Sequence, residues 1–356
     1  DIDENWPTTQ RRVGGYNIDA LLPDAMASRP HGKVGDGINL SHLLVGSEGT
    51  LAYSSAITLK LSPLPSKKIM GVCHFPSFYE AMDAAQYIVT LNPVAVELVD
   101  DTMISLARRI DMFKPTVEAV VNGNPKSLLL VEFAEEQMDE NHQRLKKLHQ
   151  LMGDLGYSWD KTKKIGGVID VIDDKLQSKV SEMRKSGLNI MMSMKDDAKP
   201  VSFIEDCAVE LKDLAEYTNG LNKIFDKYNV KGTWYAHASV GCLHVRPVLN
   251  MKIQDDIKKM RNIANETSAL VKKFNGSYSG EHGDGIARSE FNEVMFGKKM
   301  IRIFKFIKNS FDPFNIFNPG KIVDAPQLDS RNLFRYAPSY NAKNINTILD
   351  LSLIHI

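Results

Sequence analysis

The chain has 356 residues, of which 43% are hydrophobic and 25% are charged, a composition typical of a globular protein with room for two or more cores. Its 44 Lys and Arg residues balance 44 Asp and Glu residues, and no dense basic run stands out, so we expect no binding to nucleic acid. No apolar run approaches the roughly 20 residues that cross a bilayer, so we predict no transmembrane segment.

Three well-separated cysteines, none in a C-x-x-C pair, favour a reducing compartment over a disulfide framework. They supply no iron–sulfur ligand set in this chain. We therefore expect a cytoplasmic protein, or one that is peripheral to the inner membrane. The sequence starts with Asp1 rather than Met and ends directly after a loop-like stretch, so both ends look cut and we expect a fragment.

Residues 1–65 are predicted to be mostly loop. Gly, Pro and Asp are frequent up to residue 40, with little periodicity. A glycine-containing turn at 46–49 then leads into alternating residues at 56–61, which predict a strand, and the prolines at 63 and 65 end it. We place the first domain boundary there.

From residue 66 the sequence alternates between strands and amphipathic helices. The first predicted strands are 69–75, 94–99 and 127–133, and the predicted helices are 77–91, 102–111, 135–155, 173–185, 207–228, 253–274 and 296–310. This pattern predicts an α+β fold with an antiparallel or mixed sheet that helices cover on one face. Turn-forming residues close the domain near 323, and the polar stretch 324–356 is predicted to be a linker.

A pair of histidines, His237 and His244, gives the strongest indication of chemistry. A hairpin with Val240 and Gly241 as its two-residue turn would place the two imidazoles directly opposite each other. Their Cβ atoms would then be roughly 5 Å apart, close enough to share a small cation. A satisfied cross-strand histidine pair without any ligand is the alternative.

The turn Gly280-Glu-His-Gly-Asp-Gly285 follows about 40 residues later. Its glycines let the backbone turn sharply or come close to a bound group. Glu281 can add an oxygen to the histidine pair, which gives the two-histidine, one-carboxylate set of some catalytic zinc sites. His282 would then remain free for proton transfer.

Four segments, in order, carry a resemblance to a known family. The turn Gly46-Ser-Glu-Gly-Thr50 and the strand after it resemble FAD-linked oxidases that share a flavin domain with vanillyl-alcohol oxidase. The histidine hairpin, the 280–285 turn and residues 311–321 resemble the closing half of D-lactate and D-2-hydroxyglutarate dehydrogenases. Segments 12–23, 242–249 and 335–340 are most similar to bacterial D-lactate dehydrogenases in which a flavin half is fused to an iron–sulfur half.

The resemblance implies a division of the chain. Residues 1–65 would be the C-terminal part of an FAD-binding domain, residues 66–323 the substrate (cap) domain, and residues 324–356 a linker toward an iron–sulfur domain. The flavin pyrophosphate loop and the domain with 4Fe–4S clusters would lie outside this sequence. Electrons would pass from FAD to those clusters and on to a quinone or cytochrome.

The resemblance also implies roles for single residues. The flavin-binding residues would be Gly46, Ser47, Glu48, Gly49, Ile57, Thr58, Asn318 and Lys321. A divalent metal, most often zinc, would hold the substrate's hydroxyl and would be bound by His237, His244 and Glu281. His282 would be the general base. The substrate's carboxylate would be bound by Arg184 and Lys199.

The implied function is oxidation of a D-2-hydroxy acid to the 2-oxo acid, with hydride transfer to flavin N5. D-lactate is favoured, because Leu188 stands where the 2-hydroxyglutarate enzymes have a hydroxyl residue. A glycolate or D-2-hydroxyglutarate dehydrogenase of the same family is the first alternative. A flavin-free module that binds a metal or another ligand is the second.

Overall fold

An antiparallel sheet organises the molecule. The computed structural model describes residues 2–21, 39–64, 67–160, 164–192, 196–336 and 340. The strands are β1 (Ile69–Phe75), β2 (Ala95–Asp100), β3 (Ser127–Phe133), β4 (Tyr157–Ser158), β5 (Lys164–Ile165), β6 (Gly167–Val171), β7 (Lys199–Pro200), β8 (Cys207–Ala208), β9 (Gly232–His237) and β10 (Cys242–Leu249). The order in the main sheet is β6-β1-β3-β2-β9-β10-β7, with antiparallel neighbours throughout, and β8 also pairs with β10. Strands β4 and β5 form a separate parallel pair.

Helices lie between the strands along the chain, and further helices come after the last strand. Within the described residues they are α1 (Ile2–Asn5), α2 (Ser41–Leu44), α3 (Phe78–Ile88), α4 (Asp101–Ala107), α5 (Lys114–Val120), α6 (Met138–Asp154), α7 (Asp174–Lys185), α8 (Gly187–Met192), α9 (Leu214–Tyr228), α10 (Gln254–Lys273), α11 (Gly285–Arg288) and α12 (Asn292–Phe311). The predicted α+β fold with an antiparallel sheet is confirmed.

Helices cover both faces of the sheet, not one face as predicted. All positions of β1 are buried. Helices α3, α6, α9, α10 and α12 bury one face in a first core, whereas α4, α5 and α7 bury the other face in a second core. The almost continuous apolar run in β1 is typical of a strand buried on both sides. Packing of α6 is close at Gly71, where a Cβ would lie 2.6 Å from Cδ2 of Leu148.

The strand predicted at 56–61 is not formed. Residues 52–64 have no regular secondary structure, and Ile57, Leu59 and Leu61 are 72%, 73% and 85% exposed. The alternation of apolar and polar residues here is a strand pattern, but a strand needs a neighbour for its amide and carbonyl groups. No strand of the described sheets lies beside this segment.

Other predicted elements differ or cannot be compared. The helix predicted at 207–228 starts only at Leu214, because Cys207 and Ala208 form β8 against β10. The start of the predicted linker packs on the domain, since Leu328 is buried in the first core. Residues 341–356 of that linker, and the side chain of Leu188, lie outside the described part of the chain. Across the described residues, no helix has both the length and the apolar character for a membrane crossing.

Candidate active site

His237 and His244 lie on the same face of the hairpin formed by β9 and β10, but not in the predicted register. His237 pairs with Cys242, and His244 pairs with Tyr235. The two histidines are therefore diagonal neighbours, with ring centroids 5.0 Å apart and an interplanar angle of 89°. The prediction that they oppose each other directly was wrong, although the rings are close.

The connection between the strands explains this register. Residues Ala238–Val240 form a short 3-10 turn, and Gly241 follows in the left-handed region with φ 67°. The turn is therefore longer than the predicted two residues at 240–241. A Cβ at position 241 would lie 2.0 Å from the carbonyl oxygen of Val209, so the turn requires glycine.

Alternation along the hairpin separates a core face from a polar face. One face contributes to the first core through Trp234, Ala236, Leu243 and Val245. The other face carries Tyr235, His237, His244 and Arg246. A rigid, packed hairpin therefore presents the polar side chains, which limits how far they can move.

Glu281 brings a carboxylate between the two imidazoles. It belongs to the turn at 280–285, called the site turn below. Its Oε1 lies 3.2 Å from Nε2 of His237 and 3.1 Å from Nε2 of His244. Ligand atoms that are each roughly 2.0–2.1 Å from a tetrahedral zinc ion lie about 3.3 Å apart, so this spacing fits a small cation.

Glu97 fixes the orientation of the His237 ring. It pairs with His237 across β2 and β9, and Nδ1 of His237 donates to the carboxylate oxygens at 2.9 Å. The hydrogen bond to Glu97 is the main cause that raises the pKa of His237. With a proton on Nδ1, the ring can present the lone pair of Nε2 toward Glu281, as ligating histidines do. Arg184 also contacts Glu97 and comes within 3.3 Å of Nδ1 of His237.

His244 is the most enclosed of the three predicted ligands. Its ring stacks between Tyr235 and His282, with centroids 4.9 Å away on each side. Burial, followed by the charges of His237 and His282, lowers the pKa of His244 to about 4, so the ring is neutral at pH 7. Its Nδ1 is buried and has no hydrogen-bond partner among the described residues. A neutral imidazole of this kind has a lone pair available for a cation.

His282 lies between two carboxylates. Its Nε2 is 3.6 Å from Oε1 of Glu281, and its Nδ1 is 3.6 Å from Oε1 of Glu205. The interaction with Glu205 is the main cause that raises the pKa of His282. Glu205 is held in turn by Arg246. A partly exposed imidazole with this environment can take up a proton near neutral pH.

A cavity of about 290 Å³ opens over these residues. Its lining includes the three histidines, Glu281 and the end of α7 with Arg184 and Lys185. Lys199, the other residue predicted to bind a carboxylate, pairs with Leu249 and is not part of this lining. Residues 244 and 249 lie on opposite faces of β10 and roughly 17 Å apart along the strand. The structure therefore brings Arg184, but not Lys199, to the histidines.

Two of the residues predicted to contact a flavin connect to the site turn. The Glu48 carboxylate accepts hydrogen bonds from the amides of Asp284 and Gly285, at 2.6 and 2.9 Å. Nδ2 of Asn318 donates to the Glu48 carbonyl oxygen at 2.7 Å. The turn at 46–49, the segment around Asn318 and the site turn therefore lie together.

The other predicted flavin-contacting residues have separate surroundings. Gly46 and Gly49 have φ values of 79° and 68° and shape the turn, and Ser47 is buried beneath it. Ile57 and Thr58 lie in the exposed irregular segment at 52–64. Nζ of Lys321 donates to the Pro319 carbonyl oxygen at 3.3 Å.

Three carboxylates that were not predicted from the sequence also belong to the site: Glu97, Glu205 and Asp206. Oxygen or nitrogen atoms of Asp206, His244, Glu281 and His282 all lie within 4.8 Å of one another. The pairing of β2 with β9 would have revealed Glu97, because residues 97 and 237 are register partners. The residues at 205 and 206 directly precede a segment predicted to be helix, so the pattern gave no signal for them.

Comparisons with known proteins identify the family of the chain. Residues 64–322 match the family described as FAD linked oxidases, C-terminal domain. The chain is 31% identical over 325 residues to a D-2-hydroxyglutarate dehydrogenase of Pantoea ananatis, across 90% of this chain and 30% of that protein. It is 25% identical over 331 residues to a probable mitochondrial D-lactate dehydrogenase of Danio rerio, across 90% of this chain and 62% of that protein.

Solved structures support the fold alone. A 4-ethylphenol oxidase from Gulosibacter chungangensis superposes with a TM-score of 0.53 at 12% identity, over 75% of this chain and 56% of that one. The chain spans less than a third of the D-2-hydroxyglutarate dehydrogenase and about three fifths of the D-lactate dehydrogenase. By its match over residues 64–322, the chain belongs to the FAD-linked oxidases and carries their C-terminal domain.

Proposed function

We propose that this chain forms the substrate-binding part of an FAD-dependent dehydrogenase that oxidises a D-2-hydroxy acid, D-lactate in the first place, to the 2-oxo acid. The observation that supports it most is the convergence of His237, His244 and Glu281 beside Arg184 in one cavity. A 2-hydroxy acid carries a hydroxyl and a carboxylate on adjacent carbons. A cation and a guanidinium side by side match that pair of groups.

A divalent metal, for which we propose zinc, would be bound by His237, His244 and Glu281. Oε1 of Glu281 lies 3.2 and 3.1 Å from the Nε2 atoms of the two histidines, a spacing that suits two ligands of one small ion, and burial keeps His244 neutral. When bound, such a cation lowers the pKa of the substrate's hydroxyl. Arg184 would orient the substrate through its carboxylate, and its contact with Glu97 holds the guanidinium in place for that task.

His282 would take the hydroxyl proton. Its Nδ1 faces Glu205, which leaves Nε2 toward Glu281 and the cavity. The pKa of His282 is raised by Glu205, so the proton would be held on the ring after transfer and the positive charge would be balanced by that carboxylate. His282→Ala in the FAD-loaded protein should abolish flavin reduction while metal and FAD remain bound. Normal reduction would remove His282 from this role.

The turn at 46–49, Asn318 and Lys321 would form the edge of the flavin site nearest the substrate. The amides of Asp284 and Gly285 in the site turn donate to the Glu48 carboxylate, which supports a flavin edge next to the proposed base, where a hydride acceptor would be needed. FAD, when bound, accepts the hydride from the substrate's Cα. Transfer onward to an iron–sulfur domain, and then to a quinone or cytochrome, stays a prediction from the resemblance.

Anaerobic mixing of the FAD-loaded protein with single acids tests the proposal. D-lactate should bleach the flavin's visible absorption, and L-lactate should not. Bleaching by D-2-hydroxyglutarate or glycolate with a higher kcat/KM than by D-lactate would correct the substrate. No bleaching with any 2-hydroxy acid would refute the proposed function.

D-2-hydroxyglutarate is the second candidate, because Lys185 lines the same cavity as Arg184 and offers a cation for a second carboxylate. The 31% identity to a protein named as a D-2-hydroxyglutarate dehydrogenase points the same way. Lys185→Ala separates the two candidates. If D-2-hydroxyglutarate is the substrate, the variant should raise KM for D-2-hydroxyglutarate and leave KM for D-lactate unchanged. If Lys185 does not bind a second carboxylate, neither KM should change.

A further inference from the structure

Asp206 lies between strand β10 and the site turn, and it is fully buried. Its backbone amide donates to the carbonyl oxygen of Leu243 at 2.7 Å, and its carbonyl oxygen accepts from the amide of Gly280 at 2.6 Å. The residue has φ 78°, in the left-handed region that few residues other than Gly, Asn and Asp adopt. Its backbone alone therefore joins the site turn to the hairpin that carries His244.

The side chain of Asp206 binds the same turn again. Oδ1 accepts from the amide of Glu281 at 2.9 Å, and Oδ2 accepts from the amide of His282 at 2.9 Å. Oδ2 also accepts from the hydroxyl of Ser279 at 3.1 Å. With the bond to Gly280, one aspartate holds a run of consecutive residues, 279–282. Hydrogen bonds from backbone amides to an ionised carboxylate are stronger than bonds between neutral groups.

We propose that Asp206 is the positioning residue of the site: it sets the direction in which Glu281 and His282 leave the backbone, and so places the third ligand and the base together. This inference rests on the proposed function for the roles of those two side chains. Both side chains belong to residues whose backbone amides are bound by Asp206, and a fixed peptide limits the positions that each side chain can reach. Loss of the carboxylate would therefore displace both at once.

A direct role as a metal ligand is the competing explanation. The carboxylate of Asp206 lies within 4.8 Å of donor atoms of His244, Glu281 and His282. However, each of its oxygens already accepts from two donors: Oδ1 from the Glu281 amide and the Cys242 thiol, and Oδ2 from the His282 amide and the Ser279 hydroxyl. A cation would have to displace one of them, because a carboxylate oxygen has two lone pairs. We therefore assign Asp206 to the backbone of the site turn and not to the ion.

Asp206→Asn is the sharpest variant. Asparagine tolerates positive φ and has the same shape, so the backbone is kept. Its side chain can accept only through one oxygen, and its NH2 group would face one of the two amides instead of accepting from it. Asp256→Asn is the matched control, because that carboxylate also accepts a backbone amide, from Asn250 at 2.8 Å, but at the start of α10.

Amide hydrogen exchange in the cation-free protein tests the proposal directly. The amides of Glu281 and His282 should exchange about 10-fold faster or more in Asp206→Asn, and should be unchanged in Asp256→Asn. Equal exchange in wild type and Asp206→Asn would overturn the proposal. If the variant does not fold, the wild type alone decides: exchange of these two amides at the rate of an unstructured chain would overturn the proposal, and slowed exchange would support it.

Cobalt(II) binding distinguishes positioning from ligation. A positioning role predicts about 10-fold to 100-fold weaker binding in Asp206→Asn, with the same visible spectrum at saturation. A changed saturated spectrum with unchanged amide exchange would show a lost ligand and overturn the assignment. If the wild type binds no cation, the proposed function falls, while the exchange result still decides the role of Asp206.

Discussion

Glu97→Gln tests whether the β2–β9 pairing creates a metal site. Glutamine keeps the shape and the strand pairing, but it replaces an ionised acceptor that faces Nδ1 of His237 at 2.9 Å. The change also removes the charged partner of Arg184. Without the carboxylate, the ring of His237 is no longer held with Nε2 toward Glu281. Loss of such a partner of a ligating histidine costs about 10-fold to 100-fold in metal affinity.

That loss corresponds to about 1.4–2.7 kcal/mol of binding free energy. Competition of the protein with a chelator for zinc, at fixed pH, measures it. Glu132→Gln is the matched control, because Glu132 lies on the neighbouring strand β3 and pairs with Lys68 at 2.6 Å, in the same sheet but outside the cavity. Metal affinity within about twofold of wild type in Glu97→Gln would refute the reasoning. So would an equal loss in both variants, which would indicate a general effect on the sheet.

The remaining predictions concern stability and substrate binding. Burial lowers the pKa of His74 from 6.5 to about 4, so the unfolded chain takes up a proton first and the free energy of unfolding falls as the pH drops below about 6.5. Urea denaturation should show a loss of about 2 kcal/mol in the free energy of unfolding between pH 7.5 and 5, and His74→Gln should lessen that loss. Gly71→Ala should lower the unfolding free energy by about 1–3 kcal/mol in the same assay, because the new Cβ would press on helix α6, and an unchanged value would contradict the close packing. Glu48→Gln should lower the free energy of unfolding by about 1–2 kcal/mol, since it weakens two hydrogen bonds from the site turn. Glu48→Asp should also be less stable than the wild type, because its shorter side chain does not reach the two amides unless the turn shifts. Arg184→Met should raise KM for the acid roughly 10-fold to 100-fold while metal affinity changes little, and a KM unchanged would exclude Arg184 as the carboxylate's partner.

The sequence predicts strands β1 to β3 and most of the long helices, because their periodicity reflects burial, but it gives no prediction for β6 or α5. It does not predict which faces are covered. The apolar run in β1 is nearly continuous, and such a run is compatible with a strand buried on both sides, yet we expected helices on one face only. The segment at 56–61 shows the opposite failure. Its alternation is that of a strand, but alternation cannot supply the neighbouring strand that a strand requires.

The candidate site was predictable where residue chemistry is local, and not where it depends on register. His237, His244, Glu281 and His282 stand in glycine-containing segments whose residue types suggest a ligand set. Glu97 is 140 residues away from His237 in sequence and becomes its partner only through the pairing of β2 with β9. Long-range strand pairing is set by the whole fold, so no local pattern could reveal it.

Arginines lie beside the carboxylates of the candidate site. Each outer carboxylate has an arginine beside it, since Glu97 contacts Arg184 and Glu205 contacts Arg246. Glu281 also has an arginine nearby, since its Oε2 lies 3.9 Å from Nη1 of Arg11, while its Oε1 faces imidazole nitrogens. His244 is the most buried of these rings. Burial keeps it neutral, so it cannot balance the negative charge of the Glu281 carboxylate. The Arg11 side chain is 48% exposed, so water screens its charge, and a cation bound between Glu281 and the two imidazoles would balance the Glu281 carboxylate at closer range.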